Sequence, residues 1–216
     1  MTSAAQMIEK RIRDMEPGAA FVAGDFLDIA SVTNANTTLS RLADAGTVVR
    51  AVRGVYAKPR RSKLLGVDVP PSPDEVARAI ARSNKWIVSP SGDAALNQLG
   101  LDTQVPATYE YVSTGPYKTY RYDKFNIAMR HTASRDLIGC SPVTCLVVQA
   151  LKTLSKDRAT DDVAWKLASH LGADEVAALY RETKNSTSWV FEFAKRMKEM
   201  RGCWASSSCP PRNAPS

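Results

Sequence analysis

The stretch from Thr37 to Arg60 constrains the fold more than any other part of the chain. Its sequence, TTLSRLADAGTVVRAVRGVYAKPR, begins with helical spacing, breaks at Gly46 and continues as two short runs rich in valine and arginine. Its last acidic residue is Asp44. Glycine commonly follows the end of a helix, and short β-type runs around a glycine-containing turn indicate a hairpin. The stretch therefore predicts a helix followed directly by a basic β-hairpin.

The preceding residues complete the pattern of a small domain. Residues 4–15 place their apolar side chains on one helical face, and a short strand, a short helix and a turn lead to the helix at residues 35–45. Helix, strand, short helix, turn, helix and two strands is the order of a winged helix-turn-helix. The predicted fold class is α+β, with this N-terminal domain followed by a mixed α/β C-terminal domain that ends in a helical bundle.

Composition places the domain boundaries. The proline-rich segment VDVPPSP at residues 67–73 is typical of a linker. We therefore predict a winged helix-turn-helix domain over residues 1–66 and a domain with a small mixed sheet and helices over residues 67–201. Residues 202–216 are rich in serine and proline without a period, which predicts a disordered tail.

One face of the helix at residues 35–45 carries side chains that can read DNA. With about 100° per residue, Ala35, Leu39 and Leu42 share the core side. The opposite side presents polar residues that hydrogen-bond base edges or phosphates. The expected DNA contacts from this helix are Asn36, Thr37, Ser40 and Arg41. The alternative for its first turn is that the polar groups only cap and solvate the helix, with Asn34 as the predicted cap.

The hairpin and the residues after it are basic, with no acidic residue between them. This charge pattern is typical of a wing that lies on the phosphate backbone or in the minor groove. The alternative is a solvated strand edge whose charges deter aggregation. The overall net charge of +7 also favours a polyanionic partner. The expected contacts here are Arg50, Arg53, Lys58, Arg60 and Arg61.

Several function classes lack their sequence signatures. The four cysteines have no two-residue spacing and the two histidines lie away from cysteine pairs, so no metal or cofactor is expected. No P-loop, Gly-x-Ser-x-Gly or His-Glu-x-x-His motif occurs, so we expect no enzyme. A nucleic-acid-processing enzyme without a known motif remains the alternative. The charged N-terminus and the interrupted apolar run at residues 137–151 predict a cytoplasmic protein without membrane association.

Two further segments add to the pattern of the N-terminal domain, SPSGDAALNQLGLDTQVPATYEYVSTG at residues 89–115 and FNIAMRHT at residues 125–132. Together with RLADAGTVVRAVRGVYAKP, they make the sequence resemble the AbiEi-type antitoxins of bacterial type IV toxin–antitoxin and abortive-infection systems. RLADAGTVVRAVRGVYAKP is similar to the wing of that family, the longer segment is similar to its second signature, and FNIAMRHT matches the strand that follows. The resemblance covers residues 4–155 and is most specific in ALNQLGLDTQVP.

The resemblance implies a protein with two tasks. The winged helix-turn-helix would bind double-stranded DNA at inverted repeats in the promoter of its own operon and act as a transcriptional repressor. The C-terminal domain would neutralise a cognate nucleotidyltransferase-like toxin without forming a stable complex with it. The alternative is a winged-helix transcriptional regulator whose C-terminal domain senses a ligand or dimerises.

Overall fold

The computed structural model describes residues 3–64, 66–132 and 137–205, and it confirms the α+β class. The chain forms two compact units, each built from two separate segments. Unit 1 comprises Met1–Val88 and Pro106–Thr132, and unit 2 comprises Ser89–Val105 and Ala133–Ser216.

Unit 1 begins with two helices and a three-stranded antiparallel sheet. In chain order, its elements are α1 (Ala4–Asp14), β1 (Ala20–Val22), a 3₁₀ turn (Ala23–Phe26), α2 (Val32–Asp44), β2 (Val49–Val52) and β3 (Val55–Ala57). The strand order is β1-β3-β2, so β3 is central and pairs with both neighbours. The predicted order of helices and strands is therefore present.

The start of α2 differs from the prediction. Ser31 caps the helix, because its hydroxyl oxygen accepts a hydrogen bond from the backbone N–H of Asn34 at 3.4 Å. Asn34, predicted as the cap, lies in the first turn instead, so the helix begins at Val32 rather than Ala35. Its end agrees with the prediction, since Gly46 follows with a φ of +71°, a conformation that glycine adopts without strain.

Further elements of unit 1 follow the hairpin. They are β4 (Arg60–Arg61), β5 (Asp68–Val69), α3 (Pro73–Asn84), β6 (Val88–Pro90), β7 (Tyr109–Ser113), β8 (Lys118–Tyr122) and β9 (Phe125–His131). β4 and β5 form an antiparallel pair. β9 pairs in parallel with β7 and antiparallel with β8, which is an edge strand of this second sheet. Of β6, only Val88 belongs to unit 1.

Two strands of the three-stranded sheet, β1 and β3, are buried on both faces. Phe21 and Tyr56 belong to a core with α1, the 3₁₀ turn and α2. On the other face, Val22 and Val55 belong to a core that includes α3 and the second sheet. Neighbouring residues of a strand point to opposite faces, so β1 and β3 each supply side chains to both cores.

Polar contacts also attach α3 to the first sheet. Arg82 donates a hydrogen bond to the backbone carbonyl of Ala20 at 2.8 Å and pairs with the carboxylate of Asp25 at 3.2 Å. Glu75 accepts a hydrogen bond from the Ala20 backbone N–H at 3.4 Å. The apolar core of unit 1 therefore continues across the predicted boundary at 66/67, and independent folding of residues 1–66 stays a prediction.

Unit 2 is mainly helical in the residues that are described. Its helices are α4 (Gly92–Gln98), α5 (Pro142–Arg158), α6 (Asp161–His170), α7 (Ala173–Glu182) and α8 (Ser188–Ala205). Their core includes Leu151, Leu167, Leu179 and Phe193. α8 continues through Ala205, so residues 202–205 of the predicted tail are helical. Residues 206–216 of that tail lie outside the described residues.

Glu182 connects the end of α7 to the start of α5. Its carboxylate accepts hydrogen bonds from the backbone N–H of Ser141 at 2.7 Å and from the Ser141 hydroxyl at 2.9 Å. Burial alone would raise the pKa of Glu182, but hydrogen bonds from Thr144 and Ser141 lower it below its usual range. The ionised carboxylate therefore stabilises the N-terminal end of α5, where a helix favours negative charge.

We predict that unit 1 unfolds as one cooperative transition. Ile127→Ala should lower the free energy of unfolding by about 2–5 kcal/mol, because it removes a fully buried side chain from the core under the sheet. Val22→Ala, on the other side of residues 66/67, should shift the same transition by a smaller amount. Urea denaturation of the full chain, followed by circular dichroism, measures both. Two separate transitions, each moved by one variant, would contradict a continuous core.

Candidate nucleic-acid interface

An open cleft in unit 1 brings together five of the nine residues predicted to contact DNA. Its volume is about 690 Å³, and its walls come from α2, the β2–β3 hairpin, the end of α3 and the edge strand β8. The predicted residues in its lining are Asn36, Thr37, Ser40, Arg50 and Arg53. The predicted contacts on α2 and those on the hairpin thus share one surface.

The cleft is positively charged. Arg50, Arg53 and Lys118 contribute cationic side chains, and none of the described residues that line it is acidic. Concave surfaces with charges of one sign concentrate ligands of the opposite sign. The cleft therefore has the electrostatics of a binding site for phosphate groups.

Arg50 connects the helix to the hairpin. Its Nη2 donates hydrogen bonds to the Ser40 hydroxyl and to the Tyr56 hydroxyl, both at 3.1 Å. Its guanidinium carbon also lies 5.3 Å from the centre of the Tyr56 ring, within cation–π range. The sequence predicts Arg50 on the DNA backbone, whereas in the structure it turns towards α2 and fixes the position of the helix relative to the hairpin.

The polar face of α2 keeps hydrogen-bonding capacity. Asn36 and Thr37 are exposed. The Thr37 hydroxyl donates to the backbone carbonyl of Thr33 at 3.0 Å, which leaves its oxygen able to accept. The Ser40 oxygen accepts from Arg50, and its own proton can still be donated to a ligand. The face therefore offers an amide and two oriented hydroxyl groups.

Arg41 does not line the cleft. It contributes to a smaller pocket of about 230 Å³, together with Gln6 and Glu9 of α1. The side chain is exposed, but it lies at the α1 side of the helix. The structure therefore separates Arg41 from the other predicted DNA contacts of α2.

The three basic residues after the hairpin also lie away from the cleft. Lys58 donates hydrogen bonds to the backbone carbonyls of Arg13, at 2.5 Å, and Met15, at 2.6 Å, at the C-terminal end of α1. Arg61 donates to the carbonyl of Gly66 at 3.0 Å. Arg60 precedes it in β4, and its side chain packs near Gly18. Lys58 in particular has the geometry of a helix-capping cation.

Sequence reasoning missed the other walls of the cleft. Ser83 and Asn84 at the end of α3, with Lys118 and Tyr120 on β8, lie in the region assigned to the second domain. The alternation of KTYRY placed Lys118 and Tyr120 on one face of a strand, and this was the available signal. Nothing in the local pattern indicated that this strand lies beside the hairpin.

The comparisons with known proteins identify a family. The sequence model of DUF6088, a family of unknown function, matches residues 7–178. The chain belongs to this family. No curated protein matches it significantly. The DUF6088 chain is also similar to the RV2827C protein from Mycobacterium tuberculosis, a crystal structure with 15% identity and a TM-score of 0.39, over 98% of this chain and 83% of that one.

Within residues 3–64, 66–132 and 137–205, no helix has the length and apolar character required to cross a bilayer.

We predict that Lys58 is a stabilising residue. Lys58→Met should lower the free energy of unfolding by about 1–2 kcal/mol, because the carbonyls at the end of α1 lose a charged hydrogen-bond donor. Lys63→Met removes the same charge from an exposed position and should change stability by less than about 0.5 kcal/mol. Urea denaturation compares the two variants. Unchanged stability for Lys58→Met would return this residue to the group of candidate DNA contacts.

Proposed function

We propose that the first part of unit 1, up to Ala57, is a winged helix-turn-helix that binds double-stranded DNA. The order of its elements and the β1-β3-β2 sheet support this assignment. The observation that carries the proposal is the cleft, in which the polar face of α2 and the arginines of the hairpin meet without an acidic lining residue among those described.

In the proposed complex, α2 enters the major groove. Asn36 and Thr37 lie in the N-terminal half of α2, and the N-terminal residues of the recognition helix are those that contact base edges in helix-turn-helix proteins. An asparagine amide can bind adenine with two hydrogen bonds. Arg53 lies at the turn of the β2–β3 hairpin, where it reaches phosphates or the adjacent minor groove. Arg50 acts indirectly, since it keeps the helix and the hairpin at a fixed separation.

We further propose that the protein is the antitoxin of a type IV toxin–antitoxin system in the cytoplasm. It represses its own operon through inverted repeats and neutralises a nucleotidyltransferase-like toxin, without enzymatic activity, a cofactor or a stable toxin complex. The resemblance of ALNQLGLDTQVP and the surrounding signature to the AbiEi-type family supports this part of the proposal. The DNA-binding site supports only the repressor function.

DNA binding can be tested with the DNA immediately upstream of the coding sequence and a scrambled duplex of equal length. Asn36→Ala should cost about 1–3 kcal/mol on the natural duplex and much less on the scrambled one. Arg53→Ala should weaken both and should make the slope of log K against log salt shallower by about 0.9. Fluorescence anisotropy at several salt concentrations gives these values. A larger loss of specificity from Arg41→Ala than from Asn36→Ala would mean that α2 presents another face.

Neutralisation can be tested by co-expression with the product of the neighbouring gene. Wild-type protein should restore growth, and Arg53→Ala should restore it equally, because the wing has no part in the proposed action on the toxin. The same variant should fail to repress a reporter placed behind its own promoter. If wild-type protein leaves the partner's growth inhibition unchanged, the antitoxin proposal fails and the repressor proposal stands alone.

A further inference from the structure

β8 forms a further wall of the cleft, in addition to those from α2 and the hairpin. This edge strand lies beside β2 of the hairpin, within the same unit. Lys118 and Tyr120 point from β8 towards the cleft, where the Nζ of Lys118 lies 5.0 Å from the centre of the Tyr120 ring. Among the described residues, Lys118 takes part in no ion pair. Its charge is therefore available to a ligand.

The segment before Lys118 is fixed by packing and hydrogen bonds. The Trp86 ring occupies the space that a Cβ atom on Gly115 would need, so only glycine fits there. The Gly115 backbone N–H donates to the Ser113 hydroxyl at 2.9 Å, and its carbonyl accepts from Nδ1 of His131 at 3.0 Å. Because these contacts hold the β7–β8 turn, Lys118 has a defined position relative to the hairpin.

The size of the cleft limits what can enter it. A duplex is too wide for a space of about 690 Å³, whereas one sugar–phosphate strand of the duplex fits. In the proposed complex, that strand would pass between α2 in the major groove and the hairpin beside it. The end of α3, at Ser83 and Asn84, brings the negative pole of a helix to the same space. A phosphate in the cleft therefore depends on cations of the other walls, and because Arg50 is turned towards Ser40 and Tyr56, these cations are Arg53 and Lys118.

We propose that Lys118 binds a backbone phosphate of the duplex that α2 reads, so that the DNA site includes β8 as a third element. This inference rests on the proposed function and extends it to a strand that sequence reasoning assigned to another domain. It makes the DNA-binding surface discontinuous in sequence, since it combines α2 and the hairpin with a strand about sixty residues further along the chain.

The test uses full-length Lys118→Ala and a matched control, Lys124→Ala. Lys124 lies on the β8–β9 turn, outside the lining of the cleft, and is 5.7 Å from the Phe125 ring centre, so the control removes the same charge from the same hairpin. Lys118→Ala should weaken the natural and the scrambled duplex by the same factor, and should make the salt slope shallower by about 0.9. Lys118→Arg should restore affinity and slope. Lys124→Ala should change affinity and salt slope far less than Lys118→Ala does.

The outcomes separate the two proposals. If Lys118→Ala behaves like Lys124→Ala while Arg53→Ala loses affinity and slope, the β8 contact is wrong and the winged-helix proposal remains. If wild-type protein binds neither duplex, the proposed function itself is wrong. A loss confined to the natural duplex would also overturn the inference, because a phosphate contact carries no sequence information. Lys118 is exposed, so an unchanged urea midpoint verifies that each variant is folded.

Discussion

The structure of unit 1 depends on the burial of β3 from both sides. Tyr56 packs into the core that holds α1 and α2, while Val55 and Ala57 pack into the core that holds α3 and the second sheet. Three consecutive residues thus join two layers, and the hairpin that they complete cannot move relative to either layer without opening a core. This is why a small hairpin can hold charged side chains at a defined place.

The same strand connects packing to electrostatics. The hydroxyl of Tyr56 reaches the cleft from a ring that is almost fully buried, and there it accepts a hydrogen bond from Arg50. The arginine charge is thereby oriented by a core residue rather than left on a mobile surface side chain. In the proposed DNA complex, the preorganised Arg50 would lose less conformational entropy while it holds α2 and the hairpin in place, which would favour affinity.

The local sequence pattern predicted the helices and strands, but not the contacts between elements that are far apart in the chain. The helix–glycine–hairpin order placed α2 and the hairpin correctly because periodicity and glycine act over a few residues. Ser31 and Asn34 are both good caps, and the pattern could not rank them. Lys58 meets α1 across more than forty residues, and Lys118 meets the hairpin across sixty, so their surroundings follow from tertiary packing alone. The basic character of the site is therefore predictable from the sequence, whereas only some of the residues that line the cleft are.

The interleaving of the two units has a consequence during synthesis. The segment Ser89–Val105 of unit 2 leaves the ribosome before the strands at Pro106–Thr132 that complete unit 1. Until β9 has been translated, α3 packs on the first sheet without the second sheet that completes this core, and the nascent N-terminal helices cannot acquire their final stability earlier. If proteins of this kind regulate their own genes, each newly made copy becomes competent to do so only when well over half of its chain exists, which favours complete molecules over truncated ones.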